Sequence, residues 1–212
     1  MIITKREHAC LIVDHAGSTL VIDPGSFTAP FSVNALAAIV VTHEHGDHVT
    51  REHLDRLLAT APGAVELFAP AGVAAAHPDY HWQIVGDGDS RAAGPFSLTF
   101  SGAQHAEIHR SIPLVDNVGV FINETLYYPG DSYTVPAQAV PVLAVPASAP
   151  WLKIGEVMDY LDAVRPARAF PTHERANSDA GNAMANARIT AVVESHGGSV
   201  TVLQPGDSID LG

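Results

Sequence analysis

A layered α/β sandwich is the fold expected of this chain, and three features lead to it. Short apolar and β-branched runs of strand length recur through both halves. In each half, stretches with helical periodicity come after strands rather than before them. Of the 212 residues 47% are apolar and only 16% are charged, enough apolar material for a layered core. No linker and no low-complexity segment interrupts the chain, so residues 1–212 are read as one domain.

Taken in order, residues 9–14 and 19–23 read as strands joined by a turn at His15-Ala16-Gly17-Ser18. The second ends at Asp23-Pro24-Gly25, where proline and glycine begin a loop. Residues 39–42 form the next strand. Thr50 offers an N-cap to a helix that presents Leu54, Leu57 and Leu58 on one face and runs to Ala59. A strand at 65–69, a short helix at 72–76, a strand at 83–85 and a half-exposed strand at 96–100 follow. Residues 118–122 and 125–128 form a hairpin whose two-residue connection is Asn123-Glu124. A buried strand at 142–145 leads to an amphipathic helix with Ile154, Val157, Met158 and Leu161 on one face. A strand at 167–170 comes next. Ser178 or Asp179 then caps a helix running to about Ser195, and residues 200–203 form the last strand.

The formal net charge is -12, with no block of consecutive lysines or arginines. Both argue against binding to a nucleic-acid backbone or an anionic membrane surface and leave a small molecule as the expected partner. Cys10 is the single cysteine, which excludes an intramolecular disulfide and a thiolate cluster. It sits in an apolar run and reads as a small core residue. Met1 to His8 lack the layout of a signal peptide and no stretch reaches transmembrane length, so the cytoplasm is the default location.

The chemistry concentrates in Val40-Val41-Thr42-His43-Glu44-His45-Gly46-Asp47-His48. A buried strand stops, and three imidazoles and a carboxylate follow on the loop past its end, where side chains can converge. Neutral imidazole and carboxylate suit zinc and similar divalent ions. The same grammar, an apolar strand and then a single histidine or aspartate, recurs at His105, Asp131 and His173. Together these residues offer five histidines and two aspartates, enough for two metal ions. His8, His15, His53, His77, His81 and His196 fit no ligand pattern and are read as surface or structural residues.

With these motifs in place the chain resembles the metallo-β-lactamase superfamily, from Ile12 to about His173. The family's His-x-His-x-Asp-His motif stands as His43-Glu44-His45-Gly46-Asp47-His48. The resemblance implies a four-layer αββα sandwich with metals at one edge between two sheets. It implies that His43, His45 and His105 hold one metal, that Asp47, His48 and His173 hold the second, and that Asp131 bridges them. Asp23 matches a family aspartate beneath the site, expected to orient a ligand imidazole. No ligand cysteine is present and Asp131 is, which argues against β-lactam hydrolysis. His45 stands where the diiron oxygen-reducing branch has a carboxylate, and the chain has no room for a nucleic-acid-processing domain. The stretch 145–151, followed by a helix and Pro171-Thr172-His173, is similar to the UlaG-like branch, which includes lactone- and phosphodiester-cleaving enzymes.

The expected activity is therefore a dinuclear metal-dependent hydrolysis of an ester, lactone or phosphoester. A metal-bridging hydroxide would be the nucleophile, with Asp47 accepting its hydrogen bond and aiming it. Zinc is the expected metal, with manganese or iron as alternatives. Tyr133, Ser148, Trp151 and Lys153 follow site-facing strands and are the candidate substrate contacts. Two competing readings are an iron-loaded oxidoreductase on the same scaffold and a non-catalytic metal-binding sensor domain.

Overall fold

In the computed structural model, which describes residues 1–212, fourteen strands form two seven-stranded sheets. The first sheet holds β1 (Ile2–Lys5), β2 (Leu11–His15), β3 (Ser18–Ile22), β4 (Leu36–Val40), β5 (Glu66–Ala69) and β6 (Trp82–Ile84). The second holds β7 (Ser90–Ala93), β8 (Phe96–Ser101), β9 (Gly119–Ile122), β10 (Leu126–Tyr128), β11 (Val142–Pro146), β12 (Arg168–Thr172) and β13 (Ser199–Val200). The last strand, β14 (Ser208–Asp210), returns to the first sheet beside β1. Both sheets follow one plan. An antiparallel meander, β1 to β3 or β7 to β10, gives way to parallel strands, β3 to β6 or β10 to β13.

Parallel neighbours need crossovers; helices supply four of the six, while β3–β4 and β10–β11 are joined by loops. The helix α1 (Arg51–Thr60) links β4 to β5, and α2 (Ala71–Ala76) links β5 to β6. In the second half α3 (Ile154–Val164) links β11 to β12, and α4 (Asp179–Ser195) links β12 to β13. Thr50 caps α1 as expected, its hydroxyl accepting from the His53 amide at 3.3 Å.

Strand alternation sorts the apolar residues into three cores. Val40, Phe68, Phe100, Val120, Ala144 and Phe170 meet between the sheets. Their neighbours Ile39 and Val41 turn the other way, onto Leu54 and Leu57 of α1 and Val73 of α2. Leu143 and Val145 likewise face Val157 and Leu161 of α3 and Ile189 of α4. The result is a four-layer αββα sandwich, as the sequence predicts. Each fully buried Leu of α1 contributes about 1.5–3 kcal/mol through removal from water. Cys10 is buried in the α1-side core. No helix is long and apolar enough to cross a membrane.

Three strands were not expected, β1, β7 and β14. They lie at or near sheet margins, and β7 and β14 are short and poor in β-branched residues; β14 is added to β1 by long-range hydrogen bonds, whereas β7 forms a local hairpin with β8. The β9–β10 connection is a residue longer than expected: Leu126 lies opposite Ile122, leaving Asn123, Glu124 and Thr125 to turn, with positive φ at the first two. The final strand of the second sheet is Ser199–Val200, earlier and shorter than the 200–203 expected.

This topology gathers the chain segments that follow β3, β4, β8, β10 and β12 at one edge of the sandwich. Ligands collect at such strand ends in open α/β sheets.

Candidate metal centre

The edge brings together all seven predicted ligands. His43, His45 and His105 form one group and Asp47, His48 and His173 another, which His8 joins; within each the potential ligand atoms lie within 4.8 Å of one another. Asp131 stands between them. Its Oδ1 lies 3.0 Å from His173 Nε2 and 3.3 Å from His48 Nε2, while its Oδ2 lies 3.4 Å from His105 Nε2. The Nε2 atoms of His48 and His173 are 2.9 Å apart. All but His45 and Asp47 are buried.

The imidazoles are aimed from behind. His48 Nδ1 donates to Asp23 Oδ2 at 2.7 Å, His105 Nδ1 to the Ala106 carbonyl at 2.5 Å, and His173 Nδ1 to the Ser148 carbonyl at 2.6 Å. With Nδ1 carrying the proton, each ring presents the Nε2 lone pair to the cluster. His43 Nε2, His105 Nε2 and Asp131 Oδ1 are buried with no hydrogen-bond partner. Buried polar atoms are seldom left so. Converging lone pairs and a central carboxylate therefore fit divalent cations, and the nitrogen and oxygen donor set fits zinc.

The positioning groups are themselves fixed. Asp23 is fully buried, and its carboxylate also accepts from the Thr42 amide at 2.8 Å and the Thr42 hydroxyl at 2.7 Å. This ties the end of β3 to the start of the His43 loop. Gly25 lets the two loops touch: a Cβ there would fall 1.7 Å from the Asp47 carbonyl oxygen. On the other side Asn117 accepts from the Asp131 amide at 3.0 Å and donates to the Pro129 carbonyl at 3.0 Å.

Comparison with known proteins gives the family and the fold. The family profile described as "Beta-lactamase superfamily domain" matches residues 2–173. The chain belongs to this superfamily. Protein Rv0786c of Mycobacterium tuberculosis (strain ATCC 25618 / H37Rv) is 39% identical over 180 residues, covering 82% of this chain and 84% of that one. Among solved structures, the metallo hydrolase Igni18 from Ignicoccus hospitalis KIN4/I superposes with a TM-score of 0.71 at 18% identity, over 98% of this chain and 97% of that one. CmlA, a diiron beta-hydroxylase from Streptomyces venezuelae, gives 0.74 at 13% identity over 99% of this chain, which spans about half (54%) of CmlA's length. At these identities the structures attest the fold, the metallo-β-lactamase αββα sandwich.

Within this superfamily fold the field of the cluster separates its members. Burial, with the neighbouring His48, holds the His43 imidazole well below its ordinary value, so it is a neutral donor. Burial works against charge on His48 too, but Asp131 and Asp23 outweigh it and raise its imidazole well above the ordinary value. Burial likewise opposes ionisation of Asp131, yet His173 and His48 hold its carboxyl well below the usual range. The metal-free site thus keeps its central carboxylate charged and shares protons that bound cations would displace.

The candidate substrate contacts are placed differently from one another. Trp151 is buried, and its indole Nε1 donates to Asp131 Oδ2 at 2.8 Å, so it steadies the central carboxylate. Ser148 is buried and its hydroxyl donates to the His173 carbonyl, locking the loop that its own carbonyl helps to aim. Tyr133 packs edge-on against Trp151 at 5.2 Å. Lys153 is not brought to the cluster; its side chain is exposed and lies 3.4 Å from Glu156. Of the histidines read as surface or structural, one lies at the cluster itself. His8, expected at the surface or in a structural role, is buried against the cluster with Nε2 3.0 Å from Asp47 Oδ2 and its ring 3.7 Å from that of His173. Burial pushes its imidazole down to about 4.

Proposed function

We propose that the protein is a cytoplasmic, dinuclear metal-dependent hydrolase that cleaves an ester, lactone or phosphoester bond in a small molecule. The observation that carries this reading is the pair of ligand groups that converge on either side of Asp131, with His43 Nε2, His105 Nε2 and Asp131 Oδ1 buried and without a partner. His43, His45 and His105 would hold one ion, Asp47, His48 and His173 the other, and Asp131 would serve both. Zinc is the metal the donors favour, with manganese or iron able to use the same set. Once bound, such ions supply Lewis acidity and a water nucleophile usable near neutral pH.

The chain's own residues do the rest. Asp47 is the partly exposed carboxylate of the cluster, and it is positioned to accept a hydrogen bond and to orient the attacking water. A cleft of about 350 Å³ opens beside it, walled by Ser26, Phe27, Gly46, Pro150 and Ala176. Its mainly apolar wall, with Phe27 half exposed, suits the uncharged part of a substrate and thins the water around the reacting bond. The loop at 145–151 and the helix after it favour the UlaG-like branch within the superfamily.

The test is a hydrolysis screen over lactones, carboxylate esters, thioesters, phosphomonoesters and phosphodiesters, with chelator-treated and zinc-reconstituted protein. Turnover of one class, lost with chelator and restored by metal, is expected. Silence across every class with two metals bound would support a sensor instead. Iron in protein purified without added metal, together with oxygen consumption, would support the oxidoreductase.

A further inference from the structure

We propose that His8 is a positioning residue for the Asp47, His48 and His173 subsite, and for that subsite only. The proposal rests on the two-metal reading above. Asp47, as a carboxylate, can only accept, so the 3.0 Å contact requires the proton on His8 Nε2. The lone pair is then on Nδ1, which is buried without a partner. His8 therefore donates to Asp47 Oδ2, the oxygen that also lies 3.9 Å from His48 Nε2 and 4.0 Å from His173 Nε2, and holds in place the one carboxylate of the cluster that reaches solvent.

The backbone of His8 is fixed from both sides. Its amide donates to Glu174 Oε1 at 2.9 Å, and its carbonyl accepts from the His173 amide at 2.9 Å. Glu174 Oε2 in turn accepts from the buried Lys5 Nζ at 2.7 Å. These contacts hold His8 at φ 62, a left-handed value uncommon for such a residue. The ring is sandwiched between His173 at 3.7 Å and the edge of Phe27 at 4.8 Å. The first sheet's N-terminal segment is thus stitched to the loop that carries a ligand from the second sheet. None of these contacts involves His43, His45 or His105, so the effect of His8 is confined to one of the two metals.

Two variants separate the hydrogen bond from the packing. His8→Phe keeps a ring between His173 and Phe27 but has no donor. His8→Gln loses the ring but can place an N–H near Asp47. Chelator-treated full-length protein is titrated with cobalt(II), followed by calorimetry and by the visible absorption of each ion. Wild-type protein should take up two equivalents. In His8→Phe one equivalent should weaken about 10–100-fold, the cost typical of losing a partner behind a metal ligand, while the other holds its affinity. In His8→Gln most of that loss should be recovered. Unchanged binding in His8→Phe, equal weakening of both equivalents, or weakening in His8→Gln as large as in His8→Phe would overturn the proposal. Uptake of a single ion by the wild type would sink the two-metal reading itself, a different failure.

Discussion

Asp131→Ala should lower hydrolysis by more than about 100-fold, beyond what loss of an outer hydrogen-bond partner costs a metal site. The same variant should no longer bind two ions. Asp131 is the one carboxylate that faces both imidazole groups, within 3.4 Å of His48, His105 and His173. Without it, the converging nitrogens face one another with no negative charge between them, and a second cation meets the field of the first uncompensated. The loop itself should survive, because Asn117 grips the backbone amide of residue 131 rather than its side chain. Far-UV circular dichroism should therefore match the wild type while inductively coupled plasma measurement of bound metal does not. Asp131→Asn should behave almost as badly: it keeps the shape and an acceptor for Trp151 but loses the charge.

Asp23→Ala acts through the fold first and the metal second. Its carboxylate accepts from two different groups of Thr42 and from His48 Nδ1, all in a fully buried setting. Truncation leaves three buried donors to find new partners, each worth about 1–3 kcal/mol when orphaned, though the three do not simply add. The backbone at φ 45 adds to the cost, since alanine tolerates the left-handed region less well than aspartate. A loss of about 3–5 kcal/mol should result, read as a fall of roughly 10 °C in the melting temperature of a domain this size. Asp23→Asn should fall between, because one amide oxygen cannot serve both the Thr42 amide and His48. Its metal affinity should suffer more than its melting temperature, since His48 loses the partner that sets its tautomer.

Much of this centre is legible in the chain, for a physical reason. The His43-to-His48 loop is contiguous and follows a buried strand, so its convergence is local. His105, Asp131 and His173 each sit just past a strand, and they gain meaning only together with that loop. The four layers follow from strand alternation and from helices after the parallel strands, which the apolar patterns of 36–60 and 142–164 already display. His8 was out of reach because its place depends on Glu174 and His173, more than 160 residues away. Trp151 and Ser148 follow site-facing strands as expected, but whether such side chains turn toward solvent or toward a ligand is decided by packing. The indole is held by Asp131 and the hydroxyl by His173. Strand β14 depends on a partner at the other end of the chain, and β7 (Ser90–Ala93) is itself weak in β-propensity.

Metal reconstitution with simultaneous activity is the most direct test of the dinuclear account. Chelator-treated protein is titrated with zinc(II), and bound metal and hydrolysis of the best substrate from the screen are followed in the same samples. Binding should saturate at two ions per chain, with turnover rising mainly as the second ion enters and absent from Asp131→Ala. Full turnover at one ion per chain, or turnover in the metal-stripped protein, would contradict it.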